Sequence, residues 1–268
     1  MIIDFHAHCF PDAIAAKAMP KLAACGGVRA PAFDGTAAGL TAAMDRAGIG
    51  RCVVANIATN PRQQRPVNDF AISLLGNGRF IPFGSVHPDS PDALDELLRL
   101  KNAGIKGIKL HPDYQAFFAD EPRVFPIYRE AARLGLITLF HAGVDIGLCD
   151  PVRCTPARLR AALPQFEGAP VVAAHFGGYL LWREVLEQLC RRDVWFDTSY
   201  CAGKMPPPWA REIVEAHGAE RILFGTDLPW VNPLDEIEFA RTLSGDEEIA
   251  GGILGGNAAK LLQWEGSQ

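Results

Sequence analysis

Eight short apolar runs recur along the chain, each followed by a polar turn and then a segment of helical spacing; this alternation limits the fold more than any other feature. The runs begin near Ile2, Arg51, Phe80, Ile105, Leu136, Pro170, Val194 and Arg221. Several are rich in Val, Ile, Leu and Phe with little polar alternation, as expected of parallel strands covered on both faces. Helical patterns fill the intervals at Thr36–Ala47, Val67–Leu75, Pro91–Lys101, Val124–Leu134, Pro156–Leu163, Trp182–Cys190, Pro208–His217 and Leu234–Leu243. Ser90-Pro91 and Thr155-Pro156 set a capping hydroxyl before a proline that can open a helix. Gly48, Gly104, Gly135 and Gly218 stand where helix C-caps are expected. Eight strands alternating with eight helices predict an α/β chain, either a closed (β/α)8 TIM barrel or an open doubly wound sheet. No G-x-G-x-x-G follows the first strand, which removes the usual dinucleotide-binding version of the open sheet.

The 268 residues match the ~250 typical of one barrel, so residues 1–268 read as a single domain. Additions are few: an Ala-rich insertion from Phe10 to Phe33 with a helix in it, a proline-rich bend from Lys204 to Pro208, and a terminal helix from Gly256 to Trp264. The Pro206-Pro207-Pro208-Trp209 stretch is a candidate contact in a homo-oligomer. A net charge of −5 gives no basic patch, which argues against a nucleic-acid partner. The seven cysteines are odd in number, scattered and without a C-x-x-C pair, so free reduced thiols are expected, and a Cys149–Cys154 pairing is not. No basic segment precedes an apolar run at the N-terminus, and no stretch reaches the ~20 apolar residues of a membrane span. A cytoplasmic protein with no membrane partner is the expectation.

Six of the runs end in residues that chemistry can use. They are Asp4, His6 and His8; Lys109 and His111; His141; His175; Asp197; and Asp227. In a closed barrel all strand C-termini open on one face, so residues a hundred positions apart converge there. His6 and His8, two apart on a strand, point the same way, with Asp4 beneath them. Such a pair alone often does no more than satisfy nearby carbonyls. Joined by His141 and Asp227 it offers three nitrogens and an oxygen to one divalent ion. Zn²⁺ is the expected metal, with Mn²⁺, Fe²⁺ or Co²⁺ as alternatives, because such ligands discriminate poorly. Asp4 and Asp197 read as supporting acids, His87 as a loop residue near the mouth, and His217, just before Gly218, as a C-terminal capping histidine.

These motifs resemble the amidohydrolase superfamily, closest to the amidohydrolase-related (amidohydrolase 2) group that includes aminocarboxymuconate-semialdehyde decarboxylase. The resemblance runs nearly end to end. Its motifs are Ile-Ile-Asp-Phe-His-Ala-His at the start, Gly-Ile-Lys-Leu-His-Pro at 107–112 and Phe-His-Ala-Gly at 140–143. Ala-Ala-His-Phe-Gly-Gly at 173–178, Phe-Gly-Thr-Asp-Leu-Pro-Trp at 224–230 and Gly-Asn-Ala-Ala-Lys-Leu-Leu at 256–262 complete the set. It implies a metal-dependent-hydrolase barrel in which His6, His8, His141 and Asp227 bind one ion and His175 neighbours the bound water. Many superfamily members bridge two metals with a carboxylated lysine after the fourth strand. Lys109 and His111 share a strand face; the reading here is one metal, with His111 contacting substrate, over a dinuclear centre.

The expected reaction is hydrolysis of a small amide, lactone or ester by a metal-activated water. Asp227 would shuttle the proton, and His175 would orient the water and stabilise the developing charge. Arg62, Arg65 and Arg153 are candidates to clamp a substrate carboxylate. Lys109, Tyr114, Phe117, Phe118 and Tyr179 are candidate pocket residues. The alternative activity is metal-dependent decarboxylation of an aromatic or unsaturated acid, since the ligands alone do not separate the two. A non-catalytic metal-binding protein is the third reading, and an otherwise unneeded His175 at the same mouth argues against it.

Overall fold

A computed structural model describes residues 1–148 and 150–263. The eight strands are β1 (Ile2–Ala7), β2 (Ile49–Ala55), β3 (Phe80–Phe83), β4 (Gly107–Leu110), β5 (Ile137–Phe140), β6 (Val171–Ala173), β7 (Trp195–Asp197) and β8 (Ile222–Leu223). All pair in parallel, within the sets β1-β2-β3 and β4 to β8. Two seams join the sets. Gly84 N donates to Gly107 O at 3.0 Å and Lys109 N to Gly84 O at 2.7 Å, while Phe5 N donates to Phe224 O and His8 N to Leu228 O, both at 2.7 Å. The result is the closed barrel that the alternation predicts.

The helices are α1 (Asp12–Cys25), α2 (Ala37–Ala47), α3 (Gln64–Ser73), α4 (Ala93–Asn102), α5 (Phe125–Arg133), α6 (Pro156–Ala162), α7 (Trp182–Gln188), α8 (Pro207–His217), α9 (Pro233–Arg241), α10 (Glu247–Gly251) and α11 (Asn257–Leu261). Thr155 caps α6 through its side chain, accepting from Arg158 N, and Gly48 closes α2 at φ 70°. Ser90 does not cap its helix. Its hydroxyl donates to Asp92 Oδ1 at 2.6 Å and α4 begins two residues later than the Ser-Pro signal suggests, because a local side-chain acceptor competes for the hydroxyl. His217 differs from expectation too. Its ring joins α8 to the approach to β7, with Nε2 donating to Val194 O at 2.8 Å and Nδ1 accepting from Arg191 N at 3.2 Å.

Ile3, Phe5, Val53, Phe83, Leu139, Val172 and Leu223 fill the barrel interior, and Ala258 and Leu261 of α11 pack against this core. Asn257 at the head of α11 donates to the Ala219 and Ile222 carbonyls, both at 2.8 Å, tying the terminal segment to β8. The expected terminal helix is α11, entered from a π-helical turn at Gly252–Gly256, and Trp264 lies outside the described residues. The six described cysteines are free, while Cys149 lies outside the described residues. No helix among the described residues is long and apolar enough to cross a membrane.

Candidate metal centre

Two buried carboxylates hold the strand ends in place. Asp4 Oδ1 accepts from the backbone N of His6 and of Thr226, both at 2.9 Å, and its Oδ2 accepts from Thr226 Oγ1 at 2.5 Å. Asp4 therefore ties β1 to the β8 end, and burial pushes its pKa up to about 7 despite those bonds. Asp197, the last residue of β7, accepts from His175 N at 3.0 Å and Ser199 N at 3.1 Å through Oδ1, and from His6 Nδ1 at 2.9 Å through Oδ2. Burial works against its charge, yet the His6 ring and its hydrogen bond outweigh that and hold the carboxyl below the usual range. Both acids play the supporting role expected of them.

The imidazole protons follow from the partners. His8 Nδ1 lies 2.7 Å from Ala55 O, an acceptor only, so Nδ1 carries hydrogen and Nε2 is the atom turned to Asp227. His6 Nδ1 faces the Asp197 carboxylate and is protonated by the same logic, leaving its Nε2 bare. His175 Nδ1 donates to Ser199 O at 3.0 Å, and its Nε2 receives His141 Nδ1 at 3.1 Å. That leaves His141 Nε2 buried with no hydrogen-bond partner.

Two imidazole nitrogens converge on one carboxylate oxygen: His8 Nε2 lies 3.0 Å and His6 Nε2 3.6 Å from Asp227 Oδ1. Two imidazoles and a carboxylate gathered in this way are a donor set that suits a divalent cation. Burial lowers the pKa of His6 to about 4, and burial with neighbouring His111 takes His141 well below its ordinary value, so both are neutral, as ligation requires. Burial opposes ionisation of Asp227, but the His6 and His8 rings prevail and hold it below the usual carboxylate range. The residues present fit a divalent ion.

The four expected ligands do not form one cluster. Donor atoms of His6, His8 and Asp227 lie within 4.8 Å of one another, whereas His141 groups at that distance with His111 and Asp145. The His175 ring intervenes, its centroid 5.3 Å from that of His6 and 4.9 Å from that of His141. His6, His8, Lys109, His111, His141, His175 and Asp227 nevertheless all line a single cavity of about 460 Å³. Lys109 Nζ stands 3.1 Å from His6 Nε2, and burial lowers its pKa to about 8.

Tyr114 and Tyr179 line the cavity as expected, but Arg153 does not, and neither do Arg62 and Arg65. The Arg153 guanidinium lies 5.8 Å over the Phe118 ring, and its backbone N donates to Asp113 Oδ1 at 3.1 Å. Arg65 faces Asp69 at 3.4 Å and Glu96 at 3.8 Å. Phe117 is buried in the core, and Phe118 carries the stacked arginines, so neither forms the pocket. His87 is buried, accepts from Asp89 N at 3.1 Å, and stays outside the cavity lining.

Three contributors escape a reading by strand ends. Asp145 lies four residues beyond His141 and faces His111 Nε2 at 3.4 Å. Ser199, two residues beyond Asp197, sets its hydroxyl 3.0 Å from His6 Nδ1 and 2.9 Å from His175 Nδ1. Gln115 joins three strand-to-helix loops, accepting from His111 N and donating to Ala58 O and Val86 O, each at 2.9 Å. The spacing from an already recognised histidine or aspartate is the only signal in the sequence for the first two. The insertion helix α1 supplies one wall through Ile14, Ala18 and Leu22.

A model of the amidohydrolase family matches residues 3–264. No curated protein matches the chain. Among solved structures, an uncharacterized TIM-barrel protein from Bordetella bronchiseptica is 20% identical with a TM-score of 0.76, over 97% of this chain and 98% of the other. The 5-carboxyvanillate decarboxylase of Sphingomonas paucimobilis is 18% identical with a TM-score of 0.73, over 98% and 99%. That of Novosphingobium aromaticivorans, solved with manganese and 4-hydroxy-3-methoxy-5-nitrobenzoic acid, is 15% identical with a TM-score of 0.72, over 98% and 96%. At these identities the likeness is one of fold.

Proposed function

Because the chain belongs to the amidohydrolase family, we propose that it is a metal-dependent carboxy-lyase removing CO₂ from an aromatic or unsaturated acid. The family makes it a metal-dependent enzyme, hydrolase or carboxy-lyase. The observation that carries the choice is the cavity: a floor of histidines, Lys109 and Asp227 beneath largely apolar walls. Losing CO₂ turns a localised anion into a neutral gas and a spread charge, a change that apolar surroundings favour. The names of two structural neighbours, both 5-carboxyvanillate decarboxylases, agree with this reading.

His6, His8 and Asp227 would hold one divalent cation, with the unpartnered His141 Nε2 in the same cavity as the candidate fourth ligand once the ion draws it in; manganese in a neighbour makes Mn²⁺ a candidate beside Zn²⁺. When bound, the ion supplies Lewis-acid polarisation of substrate oxygens. In the reaction the bond between the carboxyl carbon and the substrate carbon breaks, its electron pair stays on the substrate, and CO₂ departs. A proton from solvent, carried on a carboxylate oxygen of Asp227, takes the place of CO₂ on that carbon. The His175 ring, fixed by Ser199 O at 3.0 Å, orients the substrate's polar edge. Lys109 Nζ, fully buried, adds positive charge beneath the departing carboxylate.

Hydrolysis of a lactone, amide or ester is the second reading, favoured by the placing of His175 beside both His6 and His141. Incubating the metal-loaded protein with hydroxybenzoates, muconate-type acids, lactones and amides separates the two. CO₂ release supports the first reading, and ring opening or amide cleavage without CO₂ overturns it.

A further inference from the structure

We propose that the cavity takes an acid with one carboxylate on a bulky apolar body of two-ring size or more, and not a one-ring diacid. The proposal rests on the carboxy-lyase reading for the fate of the carboxylate, whereas its claim about size and charge rests on the walls. A cavity of ~150 Å³ holds one benzene. The roughly 460 Å³ here is about three times that, so a single ring would leave most of the apolar surface wet.

The walls are apolar on two sides. Ile14, Ala18 and Leu22 recur every four residues along α1 and present one stripe, with Ile57, Val67 and Phe70 also lining the cavity. At the rim, Ile14 keeps 52% of its surface exposed, which is costly in water unless an apolar partner covers it.

The charge pattern suits a single anionic head. Among the described lining residues Lys109 is the one lysine or arginine, and its ammonium sits at the floor, 3.1 Å from His6 Nε2. The wall instead carries Asp145, whose Oδ1 accepts from Gly147 N at 2.8 Å and Leu148 N at 2.9 Å. His111 Nε2 lies 3.4 Å from Asp145 Oδ2, so a second carboxylate on the substrate would meet a wall acceptor, with no lysine or arginine among the described wall residues to receive it.

The Mn²⁺-loaded protein is titrated calorimetrically with 3-hydroxy-2-naphthoate, 2-hydroxybenzoate and 4-hydroxyisophthalate, with CO₂ release followed in parallel. The naphthoate is expected to bind ~10-fold tighter than the benzoate, about 1.4 kcal/mol, and the isophthalate more weakly than either. Ala18→Phe, which fills one wall, brings the naphthoate-to-benzoate ratio close to one. Equal or weaker naphthoate binding, or preference for the diacid, overturns the proposal even where one-ring acids release CO₂. Naphthoate preference with no CO₂ from any acid supports the proposal on size and charge, and overturns the carboxy-lyase reading instead.

Discussion

Asp197 Oδ2 lies 2.9 Å from His6 Nδ1, and neither side chain reaches solvent to any useful extent. This contact fixes the His6 tautomer and leaves its Nε2 for the ligand role proposed above, the part that outer carboxylates play at metal sites. Asp197→Asn keeps the shape but removes the charge that favours Nδ1–H. Metal affinity should fall ~10–100-fold with the fold retained. Metal titration alongside circular dichroism checks this; unchanged affinity would remove Asp197 from the site.

Removing the metal should lower stability as well as activity, because an ion held by the folded site alone favours the folded state. An ion held at a hundred times its Kd contributes ~2.7 kcal/mol. Chelation should therefore depress Tm by roughly 5–10 °C for a chain of this size. Restoring Mn²⁺ or Zn²⁺ should return both Tm and turnover, and differential scanning fluorimetry reads the shift.

Gln115 is fully buried and bonds to three loops at the cavity mouth. Gln115→Ala leaves two carbonyls and one N–H without partners, at ~1 kcal/mol or more for each lost bond. A loss of ~3 kcal/mol or more in urea denaturation is expected, together with a fall in kcat/KM as the loop bearing His111 loosens.

Glu236, in the first turn of α9, accepts from Cys201 N and Ala202 N at 3.2 Å, and burial pushes its pKa up to about 8. The folded state therefore holds this proton more tightly than the unfolded chain, whose glutamates titrate near 4.3. Its share of stability is complete below that lower value and is lost as pH rises through about 8. Glu236→Gln, which can still accept both bonds, should lose less stability between pH 6 and pH 9 than the parent. Urea midpoints at the two pH values give the comparison, and parallel losses would refute the assignment.

The barrel was legible because strand ends and ligand-type residues coincide. His6, His111, His141, His175 and Asp227 each follow an apolar run, and closure alone brings them to one rim. What could not be read depends on contacts between loops. Arg153 looked like a carboxylate clamp, but its guanidinium lies over the Phe118 face outside the cavity lining, and no local pattern announces that stacking. The α1 insertion was visible as a helix, yet its role as a cavity wall depends on where the chain folds back. His141 shows the same limit at finer scale: the sequence brings it to the floor but not to a given neighbour.

His175 at φ 58° and Asp227 at φ 71° both occupy the left-handed backbone region, which side-chain-bearing residues rarely adopt. Their surroundings hold these conformations at a cost in local strain. Evolutionary drift at the two positions is thereby narrowed beyond what the chemistry of the side chains demands. Asn and Gly can inherit such a backbone, whereas Val or Ile would distort the rim even if the lost imidazole or carboxylate were supplied from elsewhere. A lineage changing its reaction on this scaffold would sooner alter the walls than these two corners.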